Sequence, residues 1–228
     1  MTHKIMVMMK LGRKIGSSAL ALGLLLTAAT CTETPHSTEH GLLLKAVKAG
    51  QTETVLALLA GGADPNERND AGETPLMVAA LTGRQNIAEI LLDGGAGIND
   101  KNNRGGTPLM AAALTGWDNV ATLLLTAGAE VNATNTGGGT PLMHAALGGH
   151  KKAARILVSA GAEVDARNNE GSTALMGAAV QGNIGVVQIL VDAGANTRIR
   201  DQQGATALII AQTLGFSNIV DTLQRAQR

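Results

Sequence analysis

One cysteine and five histidines are the only residues in this 228-residue chain from which metal or thiol chemistry could be assembled. Cys31, His36 and His40 fall close together near the start, and His36 and His40 stand four apart, a spacing that on a helix pairs two imidazoles at one metal. Pro35 lies directly before them and no third ligand of fixed geometry is in sight, so they read as solvated residues of a polar segment, TETPHSTEH (32–40). Metal or redox handling by Cys31, His36 and His40 is the rival to every other function considered below. His144 and His150 lie further on without a recurring carboxylate beside them, which makes a general base at His144 the weaker reading. There is no phosphate loop with its lysine and no paired-cysteine spacing; no cofactor and no resident metal are expected.

Composition narrows the field further. Eighteen basic residues balance eighteen acidic ones, so nothing tracks a nucleic-acid backbone. One Trp, one Phe and no Tyr cannot form a base-stacking platform or an aromatic core. A 45% hydrophobic chain with 16% charged residues nevertheless folds, and its core must come from Leu, Ala, Val, Ile, Met and close approach at Gly.

The first thirty residues stand apart. Lys4, Lys10, Arg13 and Lys14 precede an uncharged apolar run, IGSSALALGLLLTAA (15–29), the layout of a secretory signal peptide over residues 1–30. That run falls short of the roughly 20 residues that cross a bilayer. Without its four cations the remainder holds fourteen basic and eighteen acidic residues, a net charge of −4. Cys31 follows at once and resembles the lipid-attachment site of bacterial lipoproteins. Ala28-Ala29-Thr30 departs from the usual residues before that site, which leaves lipidation of Cys31, plain cleavage after Ala29 and an uncleaved anchor all open. Residues 31–40 are then a tether. Each alternative puts the rest of the chain outside the cytoplasm, in the periplasm or anchored at the outer membrane.

Everything after the tether is one repeat. Thr74-Pro75-Leu76-Met77 returns at Thr107 and Thr140, and Thr173-Ala174-Leu175-Met176 and Thr206-Ala207-Leu208-Ile209 follow, each step being 33 residues. Nine residues after each Thr stands a glycine (Gly83, Gly116, Gly149, Gly182, Gly215), and Gly-Ala pairs recur from Gly62-Ala63 to Gly194-Ala195. Gly41 opens a degenerate first copy, so copies start near 41, 74, 107, 140, 173 and 206. This period and the TPL start resemble the ankyrin repeat, and the resemblance covers 41–228. It implies an all-α solenoid of about six helix-turn-helix units with short β-hairpin-like fingers. Met or Ile replaces the family's His after TPL, and Met there fills space between repeats.

The local residues agree. Thr caps a helix whose first residue, Pro, needs no donor. Leu two residues on, the Ala pair at five and six and the Gly at nine share one face. The fingers are the polar segments 66–73, 99–106, 132–139, 165–172 and 198–205. Lys45 and Lys48 at one end and Gln224, Arg225, Gln227 and Arg228 at the other give the stack polar ends.

The resemblance implies a scaffold without catalytic apparatus, presenting finger tips and inner helices to a protein partner. Seven residues after each Thr, roughly 150° from the core face at about 100° per residue, stand Leu81, Leu114, Leu147 and Val180. At an interhelix spacing of about 8–10 Å they form an apolar stripe of roughly 30 Å, bordered by Thr82, Thr115 and Gln181. Either a partner lies along this stripe or the fingers fold over it. Arg68, Asp70, Glu73, Lys101, Asn103, Arg104, Arg167, Asn169 and Glu170 add finger polars of mixed sign, with Arg200 and Gln202 beyond them. Trp117 and Phe216 share the position after the inner-helix glycine, as partner anchors or as loop packing against the next copy. The expected partner is a protein, with no nucleic acid and with membrane contact only through a lipid at Cys31. The roles in view are adaptor, inhibitor or immunity protein, or helper of an exported enzyme such as a peroxide-detoxifying one.

Overall fold

The computed structural model describes residues 41–227. Residues 1–40, on which the expected signal peptide and tether and Cys31, His36 and His40 fall, lie outside the described residues. Twelve helices and no strand occur among them. They alternate in two layers. The inner layer is α1 (Leu42–Ala49), α3 (Pro75–Leu81), α5 (Pro108–Thr115), α7 (Pro141–Gly148), α9 (Ala174–Val180) and α11 (Ala207–Leu214). The outer layer is α2 (Thr52–Ala60), α4 (Gln85–Asp93), α6 (Asp118–Thr126), α8 (Lys151–Ser159), α10 (Ile184–Asp192) and α12 (Ser217–Arg225).

Every inner helix after α1 begins where the threonine hydroxyl accepts the backbone N–H three residues on, at 3.2–3.4 Å in the five copies from Thr74 to Thr206, whereas α1 follows Gly41 and has no side-chain cap. The capping threonines are buried, so water cannot replace the bond they make. Thr140→Ala is expected to cost about 0.5–2 kcal/mol, read as a lower urea midpoint with an unchanged slope. An unmoved midpoint would mean that the cap contributes nothing here.

Leu76, Leu109, Leu142 and Leu175 and all four Ala-Ala pairs from Ala79-Ala80 to Ala178-Ala179 are buried in one continuous core. Met77, Met110 and Met176 are buried, and Met143 is half-buried. In the outer helices only one of two adjacent leucines is wholly inside: Leu91 is buried and Leu92 half-buried, Leu124 is buried and Leu125 half-buried. Inner helices from α5 onward that end in Gly116, Gly149 and Gly215 do so at a left-handed φ of 73–79°, the conformation in which glycine carries no Cβ penalty.

The fingers are tight turns rather than β-ladders. Two backbone bonds close each, for example Asn102 N–H to Gly106 O at 3.0 Å and Gly105 N–H to Asn102 O at 2.8 Å. A side chain does the rest: Asn69, Asn102, Asn135, Asn168 and Asp201 each accept two backbone N–H groups of their own turn through Oδ1.

Candidate functional site

Finger and inner-helix residues together line a groove along the stack, from Lys45 in the first copy to Ile210 in the last. Three depressions lie along it. The first is lined by Lys45, Lys48, Glu73 and Leu81, the second by Glu73, Leu81, Arg104 and Leu114, and the third, of ≈ 490 Å³, by Met143, Leu147, Gly177, Val180 and Ile210. His144 borders the second and the third.

The fingers do not fold over the apolar column. Leu114 is 41% exposed, Leu147 46% and Val180 46%, while Leu81 is half-buried. These side chains stand on helices held rigid by the buried alanines one and two residues earlier. Beside them, the Thr82 and Thr115 hydroxyls donate to the carbonyls of Val78 and Ala111 four residues back, at 2.7 and 2.8 Å, and so are partly occupied. Gln181 is exposed.

The finger polars divide into two groups. In the first, the side chain ties its finger to a neighbour. Arg68 donates to the Lys101 carbonyl at 2.7 Å and pairs with Asp100 at 2.9 Å, Lys101 donates to the Thr134 carbonyl, and Arg167 to the Arg200 carbonyl. Asn103 and Asn169 donate their amides to the carbonyls of Asp70 and Thr136 in the preceding finger. Gln202 does the same to Asn169. These groups carry a ladder that also includes the backbone bond from Thr136 N–H to Arg104 O. The second group is available. The side chains of Asp70, Arg104 and Glu170 make no hydrogen bond to described residues, and Glu73 accepts one from Asn69 at 2.8 Å.

Trp117 is 43% exposed, yet it is also structural. Its ring covers Gly83 and its Nε1–H donates to the Leu81 carbonyl at 3.1 Å. His150 covers Gly116 and donates through Nε2 to the Leu114 carbonyl, and Asn183 covers Gly149 and donates to the Ala146 carbonyl. Phe216 lies over Gly182 in the same way. The packing is thus against the preceding copy, not the next one, because the residue after each inner helix points back along the stack. The glycine leaves the space that the large side chain fills.

Two features of the site escape a reading by residue type. His144 donates from Nδ1 to the Thr140 carbonyl at 2.8 Å, which leaves Nε2 without a partner among the described residues. Gly177 takes the place that a larger residue fills in other copies and so deepens the third depression. The 33-residue spacing marks both positions as deviations from the repeat, and that was the available signal. Among the described residues no three of His, Cys, Asp and Glu stand together as a metal site, and no helix is long and apolar enough to cross a membrane.

Comparison with known proteins gives one finding. A family model described as ankyrin repeats (3 copies) matches in overlapping stretches, residues 43–135, 94–168, 124–201 and 142–227. No curated protein matches the chain in sequence. The matched stretches together cover nearly all the described residues, and the period, the capped inner helices and the back-to-back helix pairs are those of the same repeat. The chain belongs to the ankyrin repeat family, a scaffold for binding other proteins.

Proposed function

We propose that this protein is an exported, non-enzymatic scaffold that holds a partner protein in the groove between its fingers and inner helices. The observation that carries this is the exposed column of Leu114, Leu147 and Val180, 41–46% open on a surface where an isolated chain gains nothing from apolar side chains. The half-buried Leu81 continues it, and Arg104, Glu73 and Glu170 supply polar contacts along the rim. Trp117, whose edge is exposed beside the Leu81 carbonyl, is the aromatic nearest the column.

Residues 1–30 support action outside the cytoplasm, in the periplasm or at the outer membrane, and Cys31 supports a lipid anchor there. The stack then serves as an adaptor, an inhibitor or immunity protein, or a helper of an exported enzyme such as a peroxide-detoxifying one. Palmitate labelling that disappears in Cys31→Ser is the result expected of the anchor; an unmodified Cys31 thiol in the exported protein removes it.

Partner binding is tested by Leu114→Lys with Leu147→Lys. The partner is identified by crosslinking the exported protein in its own cell, then purified. Both positions are solvent-facing, so far-UV CD and the melting midpoint should stay nearly unchanged, within about 0.5 kcal/mol. Binding should weaken at least about 30-fold, because truncating or charging a central apolar contact costs about 2–4 kcal/mol. Undiminished binding by a folded double variant overturns the groove as the partner site.

A further inference from the structure

The groove is not uniform from end to end. Near α1 and α3 it presents Lys45, Lys48 and Arg104 against the single carboxylate of Glu73. Near α9 and α11 it presents the carboxylates of Glu170 and Asp201 with no lysine or arginine among the lining residues. Asp201 accepts the backbone N–H groups of Gln203 and Ala205 through Oδ1 alone. Lys45, Lys48, Arg104 and Glu170 make no side-chain bond to described residues, so their charges are not spent inside the stack. Between the two ends lies the apolar column, and the finger there (132–139) carries no charged residue.

The repeat also sets a spacing. Successive members of the column sit on successive inner helices, about 8–10 Å apart. A helix that rises about 1.5 Å per residue returns the same face every seven residues, about 10.5 Å. A strand returns the same face every two residues, about 6.7 Å, and falls out of step with the column. A helix of roughly 20 residues spans the roughly 30 Å of the column.

We propose that the occupant of the groove is an amphipathic helix of the partner protein, with apolar residues in heptad phase over Leu81, Leu114, Leu147 and Val180. Its acidic end lies over Lys45, Lys48 and Arg104, and its basic end over Glu170 and Asp201. This rests on the groove being the partner site, and it adds the class of ligand and the order of its charges. His144 sharpens the middle: with Nδ1 held by the Thr140 carbonyl, Nε2 accepts from a donor on the partner helix, such as a Ser, Thr or Gln side chain. Opposite charges along a groove fix register and direction more than they add affinity.

The test is selection of displayed 21-residue helical peptides, randomised on one face, against the full chain. Parallel selections use the Leu114→Lys/Leu147→Lys chain, the Lys45→Glu/Lys48→Glu chain and the Glu170→Lys/Asp201→Asn chain, in which Asn keeps the Oδ1 acceptor of the finger turn, as at Asn168, and removes the charge. Peptides enriched on the parent but lost on the leucine double variant are groove binders. They are expected to carry apolar residues seven apart, acid at one end and base at the other, and to bind at least tenfold more weakly when either end of the groove is reversed. Selection on the Glu170→Lys/Asp201→Asn chain is expected to enrich acid at both ends.

Groove binders without charge order, or with affinity indifferent to both reversals, overturn the proposal and leave the groove reading standing. Enrichment that is insensitive to Leu114 and Leu147 overturns the groove reading itself. Self-association of the full chain that vanishes in the leucine double variant makes a second copy the occupant, and an intramolecular crosslink from Leu147 to residues 1–40 makes the chain's own leader the occupant. Either of these also overturns it.

Discussion

Gly105→Ala is expected to destabilise the stack by about 2–4 kcal/mol and to break its unfolding into two transitions. Gly105 sits in the finger between the second and third helix pairs at a φ of +73°. A Cβ there would lie 2.8 Å from the Thr136 backbone nitrogen and 3.0 Å from the Asn135 Cα, both backbone atoms of the next finger. No rotamer change relieves that. The left-handed conformation alone costs a non-glycine residue about 1–2 kcal/mol. Moving the next finger away sacrifices the Thr136 N–H to Arg104 O bond at 3.0 Å and the Thr136 hydroxyl bond to the same carbonyl, each worth about 1 kcal/mol.

In a chain of this size such a loss lowers the melting midpoint by roughly 5–15 °C. Because each pair of helices touches only its neighbours, a weakened junction also uncouples the blocks on either side. Gly95→Ala is the control. Gly95 has a φ of +92° but open space around its Cβ position, so it should show the conformational cost without the collision and keep a single transition. If Gly105→Ala is no worse than Gly95→Ala, the contact between fingers carries no stability.

The same comparison explains how much of this protein is legible in its sequence. A repeat states its architecture several times, so the threonine caps, the buried Leu and Ala-Ala positions and the helix-ending glycines can be read from phase alone. Thr140 and Gly149 do in the structure what their positions require. Exposure of the column cannot be read that way, because whether a finger covers Leu114 depends on an angle between backbone segments that no residue type encodes. Finger polars fail for a related reason. Asn103 and Arg104 are adjacent and equally hydrophilic, but the finger geometry turns one amide to the preceding carbonyl and leaves the other side chain free. The recurring Asn at 69, 102, 135 and 168 held the missing information. Its constancy marks an internal bond, whereas the change from Ala71 to Arg104, Gly137 and Glu170 marks a position released from the scaffold.

The charge order of the groove became visible only when those released positions were placed in space. In the sequence, Lys45, Arg104, Glu170 and Asp201 are scattered among residues of both signs. The structure turns the side chains of Arg68, Lys101 and Arg167 onto neighbouring fingers, and none of the three lines the groove. What remains is basic at one end of the groove and acidic at the other.

Ala145→Leu is expected to destabilise the stack by about 1–3 kcal/mol even though it makes the core more hydrophobic. Ala145 in α7 and Ala112 in α5 are both 0% exposed, in the seam where adjacent inner helices approach each other. Transfer alone predicts the opposite sign, since burying the added carbons of leucine is worth about 2 kcal/mol. Packing decides the matter, because a seam lined by paired alanines has no void to receive an isobutyl group. The helices must separate or bend, and separation changes the pitch that every finger bond from Arg104 to Thr136 depends on. Ala112→Leu with Ala145→Leu should exceed the sum of the two single losses if both side chains compete for one gap. Ala111→Leu supplies the contrast: one residue earlier on the same helix, half-buried and facing the groove, it should change stability by no more than about 0.5 kcal/mol. Urea denaturation of the four variants reads the sign directly. A gain in stability at Ala145 would mean that the seam holds slack, and that close approach at alanine is not what lets this stack dispense with aromatic side chains.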